Sequence, residues 1–420
     1  MFQIVGHTPN LNGFGCQLVT LAKFEAARCH LPPPKSGDNH HAAANHTWIK
    51  IGGEMRGRFV VLMPALALAM PACTSGTYPL PTDPPGLADP SQPGSVIVWP
   101  KFAQGSVGAY RGTAGAFAAA RTVIELGAVC PAGQLCADNS VVRVHLHWIC
   151  PPTTGTNWCP DTDFIVAITY GTSRAGKITF NPSQLAGEYN GTTTVPFAPC
   201  QRGFLIGYAV DNSDRPIKFD RLIGDAVQRN FGPGLQSASA ITIQADPGLA
   251  NLALITLDSS RGLVFDGQPG HYQMVTGQLQ GDVSFDSDLV APFHDGFLIL
   301  LTLDVKSNLP NTPTVVALDF YNFNGQILST TASFICWEQV QLSTGIDPNL
   351  TVGFVGSGHA KGLVGSGQAL DATTGQQRTL LGLFQSTEGP AAGPANATES
   401  YAVRPGNNSV PIPTTFYPGF

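Results

Sequence analysis

Two histidines at alternate positions of one apolar stretch, Val141-Val-Arg-Val-His-Leu-His-Trp-Ile149, are the residues best spaced for chemistry. On a strand, side chains two residues apart share a face at a separation of about 7 Å. Neutral imidazoles at His145 and His147 would hold a Zn²⁺ or Cu ion once a third ligand arrives. Asp161, Asp163, His271 and His294 are of the right type, and no spacing selects among them. The structural alternative puts both histidines on the wet side of a half-buried strand. A second group, Asp282, Asp286 and Asp288 in Gly281-Asp-Val-Ser-Phe-Asp-Ser-Asp-Leu289, offers oxygens of the kind Ca²⁺ takes. It lacks the spacing and the turn glycine of an EF-hand, and turn aspartates are the competing reading. The expectation is therefore no cofactor, with Zn²⁺ at the histidines or Ca²⁺ at the aspartates as the exceptions.

Nucleophilic chemistry has thinner support. Gly171-Thr-Ser173-Arg-Ala175 breaks the G-x-S-x-G elbow at its last position. Ser357 and Ser366 lie in Gly-Ser-Gly segments without a phosphate-binding lysine. Paired carboxylates of a glycoside hydrolase are defined only in three dimensions, and neither Glu125 nor Glu338 sits in a telling context. Trp99, Trp148, Trp158, Trp337 and Tyr321 are candidates for stacking on sugars or, more simply, for packing a core.

The elements that would carry these residues read as strands. The stretch from Val141 alternates: Val142, Val144, Leu146 and Trp148 face one way, Arg143, His145 and His147 the other. Ser95–Trp99, Thr122–Val129, Phe204–Val210 and Phe297–Val305 are further apolar runs, and Phe164–Tyr170, more continuously apolar, reads as a central strand. Asn324-Gly325 between two β-rich runs predicts a hairpin, because both turn positions tolerate positive φ. Gly203-Phe-Leu-Ile206 recurs as Gly296-Phe-Leu-Ile299, and Val-Gly-Ser-Gly recurs near Gly356 and Gly365, which reads as a glycine-rich loop. Charged residues make up 12% of the chain beside 47 Gly and 34 Pro, about half the usual charged share. Short strands joined by many turns follow from that composition.

Upstream lies a different pattern. Met55-Arg-Gly-Arg58, the apolar run Phe59–Ala69 and the small-residue exit Met70-Pro-Ala-Cys73 are the parts of an export signal. The apolar run is shorter than the roughly 20 residues needed to span a bilayer. Cys73 then reads as a lipidated cysteine, with cleavage after Ala67-Leu-Ala69 as the alternative. Residues 1–54 read as a mis-called or disordered extension, or as a His-rich metal-binding arm, and residues 74–95, rich in Pro, as an extended tether. Two antiparallel β-sandwich domains are expected to follow, at 96–245 and 250–420, in an all-β chain.

Six cysteines remain beyond the leader: Cys130, Cys136, Cys150, Cys159, Cys200 and Cys336. An even number in an exported chain reads as three disulfides. The local pairs Cys130 with Cys136 and Cys150 with Cys159 leave Cys200 for Cys336, and the other connectivities stay open. From Thr74 onward, 16 Lys and Arg against 25 Asp and Glu leave a net charge of −9. Nucleic acid and anionic membrane both need a basic face, so neither is expected as a partner.

Several short segments carry a resemblance: Val98-Trp-Pro-Lys-Phe102, Gly127-Ala-Val-Cys-Pro131, His147-Trp-Ile-Cys-Pro151, Ile217-Lys-Phe-Asp220 with Leu222-Ile-Gly-Asp225, and Phe334-Ile-Cys-Trp337. Across most of 96–420 the chain resembles a group of uncharacterised exported bacterial proteins rich in β-structure. That resemblance implies export and a β-rich fold and supplies no catalytic residue. The expected role is a non-enzymatic binding or structural module of the cell envelope (periplasm, outer membrane or cell surface). Its partner would be an envelope or extracellular protein or a glycan, with the membrane reached only through the lipid. An envelope hydrolase, carbohydrate-active in one form, and a self-associating subunit of a surface filament or layer are the rivals.

Overall fold

The strand Phe204-Leu-Ile-Gly-Tyr-Ala-Val210 shows how the chain is layered. In the computed structural model its alternate residues feed two different cores: Phe204, Ile206, Tyr208 and Val210 point into one, Leu205 and Ala209 into the other. Leu298 and Leu300 likewise face one core while Ile299 and Leu301 face another. A strand covered on both sides has no wet face, which is why these two runs are apolar throughout. The structure describes residues 86–419 apart from 106–119, 131–134, 173–175, 183–194, 230–234, 286–294, 323, 351–353, 355–360, 389–395 and 403–410. The leader, Cys73 and the tether lie outside the described residues.

Nine antiparallel strands build the first half: β1 (Val96–Gly105), β2 (Ala120–Ala128), β3 (Ser140–Ile149), β4 (Asp161–Tyr170), β5 (Gly176–Phe180), β6 (Arg202–Val210), β7 (Leu222–Arg229), β8 (Leu235–Ser239) and β9 (Ile241–Ile243). One part runs β4-β3-β6-β1 with β9 on β1, the other β2-β7-β8 with β5 on β2. Strand β1 belongs to both. Its register with β6 shifts between Trp99 and Phe102, and its last residues, Gln104 and Gly105, pair with β2. A bulge at such a corner lets one strand pass from sheet to sheet. Between the two parts lie Trp99, Phe102, Leu126, Leu146, Trp148 and Phe180, all fully buried.

After β10 (Leu263–Phe265) and β11 (Val275–Thr276), a second pair of sheets forms. One has the order β12 (Gln278–Phe285), β17 (Lys361–Asp371), β14 (Thr314–Tyr321), β15 (Ile327–Phe334). The other has the order β16 (Trp337–Gln341), β13 (Asp295–Leu301), β18 (Leu381–Glu388), β19 (Asn396–Ala402). Leu279, Leu300, Val316, Leu318, Phe320 and Phe384 pack between them. A third apolar layer, with Val96, Val98, Ile206, Ile299, Leu301, Trp337 and Leu383, joins the inner sheets of the two halves. Within it the indole N–H of Trp337 donates to Pro100 O at 2.8 Å. Thr77–Phe420 is accordingly one compact unit. The C-terminal β20 (Pro411–Ile412) and β21 (Thr414–Phe416) pair with β11 and β10 and close this layer.

The all-β antiparallel reading is correct, and three local readings change. Strand β4 is an edge: Phe164, Val166, Ile168 and Tyr170 are buried, whereas Ile165, Ala167 and Thr169 are only half-buried. The second Val-Gly-Ser-Gly segment is no loop but part of β17, in the interior of its sheet. Glycine suits the place because a Cβ on Gly367 would come within 3.1 Å of the Leu318 and Val316 side chains. The β14–β15 hairpin forms, but only Gly325 takes positive φ. Asn322 O accepts from Gly325 N, Asn322 N donates to Gln326 O, and Asn322 Oδ1 accepts from Asn324 N and Gln326 N. Gly325 is thus the left-handed residue of a turn longer than two residues.

Of the expected disulfides, Cys130–Cys136 is present, but the other pairs are Cys150–Cys200 and Cys159–Cys336. Cys150 and Cys159 stand at the two ends of the β3–β4 connection, yet Cys150 faces the core of the first half and Cys159 the joining layer. They sit on opposite sides of one sheet and cannot bond. Cys150 meets Cys200 across β3 and β6, while Cys159 crosses to the second half. Chain-entropy estimates assign about 5 kcal/mol to the 177-residue closure by Cys159–Cys336 and about 2 kcal/mol to the six-residue closure by Cys130–Cys136. Replacing Cys159 and Cys336 together by Ala is therefore expected to lower the unfolding free energy more than replacing Cys130 and Cys136, as read by denaturant titration.

Candidate functional site

Strand β3 places Arg143, His145 and His147 in a row on the face opposite Val144, Leu146 and Trp148. Its neighbour β4 opens with Asp161-Thr-Asp163, in a register that sets His147 opposite Asp163 and Ile149 opposite Asp161. The carboxylates reach diagonally, as long side chains on one sheet face do. His145 Nε2 lies 2.9 Å from Asp163 Oδ2, and His147 Nδ1 lies 3.0 Å from Asp161 Oδ2. Arg143 continues the series at 2.7 Å from Asp214. On the other side β6 sets Tyr208 opposite His145, and its hydroxyl meets His147 Nε2 at 3.3 Å and His145 Nδ1 at 3.4 Å. The two imidazoles stack at 4.5 Å between centroids.

The histidines are not on a wet face. His147 and the Asp161 side chain are almost wholly buried, since this side of β3 is covered by the C-terminal segment. Phe416 lies edge-on to His147 at 5.9 Å, and Gly419 N donates to Asp161 Oδ2 at 3.1 Å. Asn308 Oδ1 accepts from Asp161 N, and Asp161 Oδ1 has no partner among the described residues. Burial, followed by repulsion from His147, pulls the His145 pKa below its usual value against the attraction of Asp163 and Asp214. Burial and the aspartates 161, 163 and 214 push the Tyr208 hydroxyl well up, so it remains a donor across the physiological range.

Counting protons shows what this cluster can do. With both imidazoles neutral, each N–H goes to its own carboxylate, and the single Tyr208 proton is shared between the two remaining nitrogens. Every ring nitrogen faces a hydrogen-bond partner, so a metal would have to displace a carboxylate or the phenol. Among the described residues no three His, Cys, Asp or Glu side chains form a metal-binding group. His271 is engaged elsewhere with Asp266 at 2.8 Å. Asp282 lies within strand β12 opposite Val364, not in a turn, while Asp286, Asp288 and His294 lie outside the described residues. The arrangement is that of a buried polar network clamping β3, β4, β6 and the C-terminal segment.

Other candidates are dispersed. Ser173 and Ser357 lie outside the described residues, and Ser366 pairs within β17 opposite Gln280 and Asp319. Glu125 forms a surface pair with Lys177 at 3.0 Å, and burial raises the Glu338 pKa, opposed by Arg202. Lys101 was not among the sequence candidates: burial, then repulsion from Arg202, brings its ammonium down to about 7. Trp99, Trp148 and Trp337 are core residues, while Trp158 is 54% exposed and Tyr321 is 36% exposed. Compared with protein-family models and with curated proteins, the chain matches none.

Two outcomes test the network. Tyr208→Phe removes the hydroxyl that serves both imidazoles and leaves a buried nitrogen unmatched, which is expected to cost about 1–3 kcal/mol in denaturant unfolding. A histidine whose folded pKa lies below its unfolded value binds protons more readily when unfolded, so its effect on stability is lost only above the unfolded pKa of about 6.5. Below that, stability falls as the pH drops towards the folded pKa. Between about pH 7.5 and pH 5, His145→Gln is expected to lose less stability than the wild type.

Proposed function

We propose that the protein is exported, held at the cell envelope through a lipid on Cys73, and acts as a non-enzymatic binding or structural module. The observation that carries this reading is the pairing of all six cysteines beyond the leader into three disulfides, one of them joining the two halves. Such pairing is consistent with an oxidising compartment. Among the described residues no helix is long and apolar enough to cross a membrane. The histidine–aspartate cluster supports a structural role over a catalytic one, because all four of its ring nitrogens face a carboxylate or the Tyr208 hydroxyl. A partner would meet the outer surface. There Trp158, beside the half-exposed Leu309 and bridged to Pro310, presents an aromatic face of the type that stacks on sugars or apolar protein surfaces.

Intact mass of the purified native protein, before and after reduction and lipase treatment, is the direct test. The expected species begins at Cys73, loses its acyl mass on lipase treatment and gains about six hydrogens on reduction. A species beginning at Met1 with free thiols overturns the reading.

A further inference from the structure

Strand β15, Ile327-Leu-Ser-Thr-Thr-Ala-Ser-Phe334, is the last strand of its sheet. Its burial alternates along its length: Ile327, Ser329, Thr331 and Ser333 are exposed, while Leu328, Thr330 and Ala332 are half-buried and Phe334 is buried. Asn322 N donates to Gln326 O at the hairpin mouth, which fixes the phase of the β14–β15 ladder. Phe320 with Leu328, Leu318 with Thr330 and Val316 with Ala332 are the hydrogen-bonded pairs. The N–H and C=O groups of Ile327, Ser329, Thr331 and Ser333 therefore point outward, and none has a main-chain partner among the described residues.

Proteins usually blunt such an edge with charge, proline or brevity. Here those devices are missing: eight residues include no charged side chain and no proline. The edges β4, β12, β16 and β19 carry acids at Asp161 and Asp163, Asp282, Glu338 and Glu399 respectively. Among the described residues the other uncharged edges are short: β8 has five residues and lies against β19, and β9, β10, β11, β20 and β21 have two or three.

The geometry points to an interface in which two copies of this chain join β15 to β15, antiparallel, about a two-fold axis at Thr331. Four features favour a second copy over a foreign peptide. The two-fold keeps the inner faces on the same side, so that Leu328 of each copy meets Phe334 of the other. The core between the outer and inner sheets then continues across the junction. The same register sets Thr331 against Thr331 and Ser329 against Ser333, pairs of matched polarity on the exposed face. In a chain of net charge −6, this strand also lets two copies approach without opposing like charges. Mutual pairing satisfies both edges at once and leaves no new edge, whereas an added peptide would expose one. The contact is small, so association is expected to depend on concentration. The inference does not depend on where the protein resides.

Sedimentation velocity of the full-length oxidised protein across a concentration series tests it. The wild type is expected to pass from monomer to dimer. Thr331→Lys and Thr331→Glu keep the outward N–H but oppose like charges on the axis, and each is expected to raise the dissociation constant by about tenfold or more. An equimolar mixture of the two variants should recover the dimer, because Lys then faces Glu. Unchanged near-ultraviolet circular dichroism would show that both variants are folded, and Ser333→Lys provides a further variant at an exposed position. A wild type that stays monomeric, a dimer indifferent to Thr331→Lys, or a mixture no more dimeric than its components would each overturn the assignment.

Discussion

The apolar layer between the two halves is the constraint on which everything else rests. It is made from the inner faces of β1, β6 and β9 on one side and of β13, β16 and β18 on the other. Because these strands also form one wall of the core within their own half, their side chains are committed in both directions. Removing the layer would expose the backs of two sheets at once. The short elements β10, β11, β20 and β21 have no separate core and exist by lining this seam.

The polar cluster follows from the same arrangement. His147 and Asp161 are buried because the C-terminal segment must pass over β3 to reach its place beside β10, and its Phe416 and Gly419 land on them. A lone charge there would be costly, and the paired register of β3 and β4 supplies a carboxylate for each imidazole. Three successive odd-numbered residues of β3 thus end against aspartates, with Tyr208 filling the space between two of them.

Much of this was written in the sequence as pattern. The period-two alternation of Val141–Ile149 revealed β3, and the uninterrupted Phe204–Val210 and Phe297–Leu301 runs marked strands covered on both faces. Continuity misled at Phe164–Tyr170, since an edge strand lying over a thick layer is nearly as apolar as a central one. Glycine misled at Gly367, where close packing against Leu318 and Val316 favours a missing Cβ inside a strand. At the cluster, both H-x-H and D-x-D could be read, but their partnership depends on hairpin register and on Tyr208 arriving from a strand about sixty residues away. Burial by the chain's own C-terminus carries no local signal at all.

The crossing of the disulfides has a consequence for how the chain matures. As the polypeptide emerges from its N-terminus, Cys150 and Cys159 appear together, long before Cys200 and much longer before Cys336. Apart from the native pair Cys130–Cys136, the short loop between them is the easiest closure available to an unfolded chain. Its product would tie together two sulfurs that the finished sheet holds on opposite faces. Maturation therefore depends either on β3 and β4 pairing before oxidation or on thiol exchange afterwards. The final cross-link, Cys159 to Cys336, can close only when the second half has docked on the first, so it acts as a chemical record that assembly is complete.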